Sequence, residues 1–370
     1  MRHSARAFAR TLAVAAAGAV LVAIGQPALA TSPHTARDCC SRDVSGWRVV
    51  WRDDFDGPAG SPVDSRSWIH DLGHCYPGCL APNWGTGEVT DMTDSPANSS
   101  LDGDGHLLIT PLRDPADPAH WTSARLETAR SDFAAVRGGA LRVEGRFMLP
   151  QVTGDAAQGY WSAFWMLGAG FRKGFIDRSG AGDIDILEHI NGPPAHPEII
   201  GAAHCRPPVG DPCHEVPDNV GLAGSTQCPP NGCLNGFHTL AVEVHRECSP
   251  QRIDWLVDGR VYHSVTSDQP GMDAASWKLL VERSFFIILN QSIGGTWPRP
   301  PTAATRPGAP LVVDRVVVSV RTPLPHGGHS HGHTRGPHGH SQGHTTARHH
   351  PGHDGGAPGP SRCRYGRRWL

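Results

Sequence analysis

From Trp47 to Thr322 the chain repeats one pattern: short runs of β-branched and aromatic residues, separated by Gly, Pro, Asn and Asp. Runs of that length with period-two alternation are strands, and the separators are turns. Two places carry stronger signals. Arg252–Val257 and Arg260–Val265 flank Asp258-Gly259, the dipeptide that favours a tight hairpin turn. Asp102-Gly103-Asp104-Gly105 leads into His106-Leu107-Leu108-Ile109 in the same manner. No helical pattern of useful length follows the first thirty residues. The pattern therefore predicts an all-β domain over residues 45–322, long enough for two sheets packed on a large core.

Within it, Gly182-Asp183-Ile184-Asp185-Ile186-Leu187-Glu188 sets three carboxylates among apolar spacers. Side chains alternate along a strand, so Asp183 and Asp185 share a face. Glu188 is one residue out of phase. A β-bulge, one extra residue, returns it to the face of the two aspartates, and bulges favour active sites. Three carboxylates on one face repel one another, which raises at least one pKa and keeps a proton available near neutral pH. A pair of carboxyls with one protonated is what glycoside hydrolysis uses. An acidic edge strand facing solvent is the alternative, but the apolar spacers and the absence of Lys and Arg argue against it.

Composition adds context. Residues 1–30 read as a secretory signal: Arg2, Arg6 and Arg10, an apolar run from Thr11 to Gly25, then Ala28-Leu29-Ala30. The run is short for a membrane span. A secreted, extracellular protein is expected, with a polar leader over 31–44. A formal net charge of −2 gives no reason to expect a nucleic-acid partner. Ten cysteines in an exported chain favour disulfides; Cys75–Cys79, Cys205–Cys213 and Cys228–Cys233 are plausible local bridges, although spacing does not fix connectivity. Residues 323–370 change character. From 324 to 353, His is interleaved with Gly, Ser, Pro and Thr. Such a tail has too few apolar residues to order itself and offers weak transition-metal binding, or serves only as a spacer.

The carboxylate strand resembles the Glu-x-Asp-x-x-Glu signature of glycoside hydrolase family 16, the laminarinase-like β-glucanases, with Asp183 at the first Glu. Other segments in the same order are similar to that family: Val50–Gly57, Trp84-Gly85-Thr86-Gly87-Glu88, Thr122–Leu126, Gly159–Gly168, Phe237-His238-Thr239, Phe286–Asn290 and Gly294–Pro298. Thr86 stands where the family usually has Asn. The resemblance implies a β-jelly-roll sandwich of two antiparallel sheets with a concave substrate groove. It implies Asp183 as nucleophile, Asp185 as its assistant and Glu188 as acid/base in retaining cleavage of β-1,3- or mixed β-1,3/1,4-glucan. Asp183 also leaves two alternatives, an impaired glucan-binding protein and a transglycosylase. The expected assembly is a monomer without a membrane span.

Sugars present flat C–H faces rimmed by hydroxyls, so aromatic platforms beside polar groups suit them. Trp84, Trp161 and Trp297 are the candidate platforms, whereas Trp165 and Trp255 alternate with apolar neighbours as core residues do. Glu88, Arg125, His204 and Asn290 are candidate polar contacts; an internal ion pair is the alternative for Glu88 and Arg125, and core packing for His204. No cofactor is required. The family resemblance adds a structural calcium at the Gly57 backbone and the Asp314 carboxylate, with an Asp314–Arg315 pair as the alternative.

Overall fold

The computed structural model describes residues 46–175, 178–193, 197–205, 211–214 and 220–324. The expected signal segment, the leader and most of the His-rich tail lie outside the described residues, as do Cys39, Cys40 and Cys363.

Two antiparallel sheets face each other. The outer sheet runs β16 (Arg260–Thr266), β15 (Arg252–Val257), β14 (His238–His245), β9 (Ala140–Met148), β18 (Leu311–Arg321), β5 (Leu107–Ile109), β4 (Ser99–Leu101), with β1 (Arg48–Asp53) also paired to β18. The inner sheet runs β13 (Gly224–Thr226), β12 (Ile199–His204), β11 (Asp183–Ile190), β10 (Tyr160–Gly168), β17 (Phe285–Ile293), β8 (Arg125–Thr128), β2 (Trp68–His70). A small third sheet joins β3 (Thr90–Met92), β7 (Trp121–Ser123) and β6 (Leu112–Arg113). This is the β-jelly-roll sandwich the sequence led us to expect.

Alternation builds it. In the outer sheet, Leu141, Val143 and Phe147 of β9 enter the inter-sheet core, while Arg142 and Glu144 point away. The central inner-sheet strands β8, β10, β11 and β17 are buried on both faces. Phe164 and Met166 of β10 meet the core, and Ala163, Trp165 and Leu167 form a separate apolar cluster on the opposite face with Phe286 and Ile288 of β17. That second face carries the site.

The Asp258-Gly259 hairpin forms as its residues require, with φ of 48° and 75° at the two turn positions. The Asp102 side chain accepts the backbone N–H of Asp104 (2.8 Å) and His106 (3.0 Å), closing the turn between β4 and β5. All three local disulfides are present, and Cys248 is disulfide-bonded as well. Helical elements depart from expectation: a single turn at Arg178–Ala181 and, longer, a two-turn helix at Ala274–Val281. Asp273 caps it by accepting from the backbone N–H of Ala275 and Ser276, and Trp277, Leu280 and Val281 bury its inner side. Two turns are too few for periodicity to declare themselves in sequence. Among the described residues no helix is long and apolar enough to cross a membrane.

The outer sheet also buries a cation. His245 Nδ1 lies 2.9 Å from Glu247 Oε1, and its Nε2 lies 3.0 Å from Glu243 Oε2 and 3.4 Å from Asp254 Oδ2. The Nε2 contacts are poorly aligned for hydrogen bonding, so charge attraction dominates there. Burial opposes protonation, but the three carboxylates outweigh it and hold the His245 pKa at about 10. A pKa raised above the unfolded value of about 6.5 gives stability that is complete below that pH and is lost as pH rises through the folded value. Thermal melts of the wild type are therefore expected to fall between pH 7 and 10. His245→Gln should flatten that dependence and, by stranding three carboxylates, destabilise by about 3–5 kcal/mol at neutral pH. An unchanged pH profile in the variant would contradict this.

Candidate active site

The carboxylate strand β11 lies in the inner sheet between β10 and β12. Trp165 of β10 pairs with Asp185 and Phe164 pairs with Leu187, so Ile186 has no counterpart. On the other side Asp185 pairs with Ala202 and Glu188 with Ile200, leaving Ile186 and Leu187 against the single residue Gly201. This is the bulge that the spacing of the carboxylates calls for. Ile184, Ile186 and Leu187 all enter the inter-sheet core. Asp183, Asp185 and Glu188 are left on the opposite face, the aspartates only 1% and 7% exposed and Glu188 half-buried.

His204 of β12 pairs with Asp183, and its Nε2 lies 3.2 Å from Asp185 Oδ2. The imidazole thus contacts the middle carboxylate and steadies it. Ala163 lies directly across from Glu188 on one side and from Asn290 of β17 on the other. A small residue there leaves low ground between two indoles of the same strand face, Trp161 and Trp165. Trp161 is half-buried and meets Trp297 edge to face, with centroids 5.7 Å apart. These two candidate platforms stand together at the Glu188 end of the face.

Trp84, expected as an open platform, is instead buried at 7% exposure under the Arg125 guanidinium, while Glu88 and Asn290 converge on the same region through buried bonds. Asn290 Oδ1 accepts from Trp165 Nε1 (2.9 Å), and Asn290 Nδ2 donates to Ser292 Oγ (3.1 Å). Ser292 Oγ donates in turn to Glu88, whose other oxygen accepts from Thr86 Oγ1 at 2.9 Å. Glu88 is 3% exposed and Arg125 4%. Arg125 donates from Nε to Asp71 (3.0 Å) and from a terminal nitrogen to the Tyr76 hydroxyl (2.7 Å). Its guanidinium lies within 5.3 Å of the ring centroids of Tyr76, Trp84 and Trp165. The internal ion pair describes Arg125 better than a sugar contact does: its charge supports the aromatic wall from behind. Burial, opposed by the Arg125 charge and aided by Glu127, pushes the Asp71 carboxyl up to about 7. Burial works against the Arg125 charge, yet Tyr76, Asp71, Glu88 and Glu127 together hold its pKa above the ordinary value.

Sequence reasoning missed three residues here. Trp165 is buried as expected, but on the site face; its spacing of four from Trp161 on one strand carries that information. Tyr76 donates to Glu127 (2.6 Å) and packs edge-on against Trp84 and Phe171. The five-residue Cys75–Cys79 loop holds it in place, and the cysteine pair was its only signal. Arg172, 2.7 Å from Glu127, completes the network and had none.

The expected cation site differs in character. Asp314 Oδ2 lies 2.7 Å from Arg315 and 3.2 Å from Arg146, and Gly57 packs on Leu101. Two guanidinium charges on one carboxylate oppose a divalent cation, so Asp314 fits the ion pair with Arg315 better than a calcium ligand.

Carboxyl groups of differing exposure on one face, walled by indoles, suit acid/base and nucleophilic chemistry on a flat polar polymer. The comparisons with known proteins agree. No family model matches the chain. It is 48% identical to the endo-1,3-β-glucanase of Streptomyces sioyaensis, over 75% of this chain and 97% of that one, with a TM-score of 0.69. The endo-β-1,3-glucanase of Pyrococcus furiosus is 28% identical, over 76% of this chain and 99% of that one, with a TM-score of 0.57. The β-glucanase of Rhodothermus marinus is 28% identical over 253 residues, 68% of this chain and 77% of that protein. The chain belongs to this family of β-glucanases and laminarinases and has its fold, of the glycoside hydrolase family 16 type.

The buried network generates a stability prediction. Arg125→Met removes the counter-charge of Asp71 and Glu127 and should destabilise by about 3–5 kcal/mol in urea unfolding. Adding Asp71→Asn to that variant should recover part of the loss. No change on Arg125→Met would remove the supporting role given to this residue.

Proposed function

We propose that the protein is a secreted endo-β-glucanase that cleaves β-1,3- or mixed β-1,3/1,4-glucan with retention. The observation that carries the reading is the bulge at Ile186, which sets Asp183, Asp185 and Glu188 on one face beside the Trp161–Trp297 pair. Asp183 attacks the anomeric carbon as the glycosidic C–O bond breaks, and Glu188 gives its proton to the departing oxygen. Water then attacks the same carbon, Glu188 takes its proton, and the ester to Asp183 opens. Asp185, held by His204, stands on the same face beside the nucleophile and assists it. Trp161 and Trp297 supply the sugar platforms, and Asn290 and Arg125 brace the buried Trp165 and Trp84 beside them. Secretion rests on the amino-terminal signal pattern.

Asp183 makes the enzyme slow. Aspartate is one methylene shorter than glutamate, so its carboxylate retracts by roughly 1–1.5 Å. The backbone supports no compensation. Asp183 and Ile184 pair with Leu167 and Met166 in regular register, and the bulge comes only after Asp185. A misplacement near 1 Å costs on the order of 100-fold in rate.

Reducing-sugar release from a panel of β-glucans and galactans tests the reading. Wild type should act on laminarin, Asp183→Glu should be faster by about tenfold or more, and Glu188→Gln should be inactive with its fold and glucan affinity intact. A wild-type rate equal to or above that of Asp183→Glu would show that the groove is adapted to Asp. Laminarin binding without turnover by either would establish a glucan-binding protein, and longer products in place of reducing ends a transglycosylase.

A further inference from the structure

A bulge breaks the hydrogen-bond ladder and leaves backbone groups that need other partners. At β11 the partner comes from the other sheet. The indole Nε1–H of Trp255 donates to the backbone carbonyl of Asp185 at 2.7 Å, wholly buried and across seventy positions of chain. Trp255 belongs to β15 in the outer sheet, where it sits at an irregularity of its own. It pairs with His263 of β16 while Leu256 pairs with Val261, so Tyr262 is the extra residue. The two disrupted ladders therefore face each other through the core, with the indole between them.

The contact has a built passage. Gly201 of β12 is the one residue opposite Ile186 and Leu187. A Cβ at Gly201 would lie 2.3 Å from Trp255 Cδ1, 2.7 Å from Nε1 and 2.6 Å from the Tyr262 hydroxyl. No other side chain fits there. The indole is further held by the His263 ring, tilted against it with centroids 4.9 Å apart, and His263 Nε2 is itself fixed 3.0 Å from the Leu222 carbonyl.

We propose that Trp255 is a positioning residue for the carboxylate strand: its N–H pins the bulge at Ile186, and so sets the phase that keeps Glu188 on the site face. Strand periodicity gives the reason. If the extra residue is absorbed or moves past Glu188, that side chain turns toward the core and Leu187 toward the site. The hydrogen bond stabilises the one location of the bulge that puts all three carboxylates together. Gly201 is the companion requirement, because any larger residue displaces the indole. The kinetic consequence rests on the glucanase reading; the structural consequence does not.

The test compares two buried indoles in the full chain. Trp277 also donates from Nε1 to a half-buried acceptor, Gln251 Oε1 at 2.9 Å, but lies in the helix Ala274–Val281, away from the carboxylate strand. Trp255→Phe and Trp277→Phe are each made, with Gly201→Ala as a second approach should Trp255→Phe yield no folded protein. Trp277→Phe is expected to lower the melting temperature and leave kcat, KM and the pH–rate profile on laminarin unchanged. Trp255→Phe should lower the melting temperature similarly. In addition it should reduce kcat about tenfold or more with KM within about twofold, and shift the limb of the profile set by Glu188. Gly201→Ala should repeat the Trp255→Phe result. A Trp255→Phe variant that loses only thermal stability, as Trp277→Phe does, overturns the proposal. If the wild type releases no sugar from any polymer, the glucanase reading fails, and the crystal structure of Trp255→Phe decides the positioning claim alone. A lost or relocated bulge supports it, and an unmoved bulge with Glu188 in place refutes it.

Discussion

The bulge at Ile186 is the constraint on which the site depends. A strand has two faces and a period of two, yet this one must send Ile184, Ile186 and Leu187 into a dry core and three carboxylates away from it. Regular pairing cannot satisfy both demands, because Ile186 and Leu187 are adjacent. One residue out of register resolves the conflict, and the hydrophobic demand enforces it: returning the strand to regular phase would bury Glu188 and expose leucine. The same apolar packing that stabilises the sandwich thereby fixes where the acids stand.

Acids on a largely buried face need polar partners, and the molecule supplies them at graded distance. His204 meets Asp185 directly. Farther along the face, Arg125 is surrounded by Asp71 and the rings of Tyr76, Trp84 and Trp165, and Arg172 holds Glu127. A buried guanidinium is tolerated only when hydrogen-bonded and paired, and this one is both. The arrangement gives the aromatic wall rigidity without a continuous hydrophobic backing. The Cys75–Cys79 loop ties Tyr76, and through it Trp84, to the network.

Much of this was legible in the chain because it is local. Alternation marked the strands, Asp258-Gly259 marked a hairpin, short cysteine spacings marked three bridges, and the out-of-phase Glu188 marked the bulge. What escaped depends on contacts between distant positions. Nothing near Trp255 in sequence says that its indole ends at Asp185, or near Arg125 that Tyr76 and Asp71 enclose it. Trp165 shows the ambiguity of a strand buried on both sides: when each face is apolar, alternation no longer says which one is the core. The helix at Ala274–Val281 escaped for the opposite reason, being too short to show a period.

The proposed retaining mechanism needs two carboxyls close together on one face, so the stereochemistry of the first product tests the account most directly. Proton NMR of a laminarin digest, followed before mutarotation, distinguishes the anomers at the new reducing end. The account predicts that the β-anomer forms first and the α-anomer grows in later. The α-anomer appearing first would mean that water attacks the sugar directly, and would contradict a nucleophilic role for Asp183.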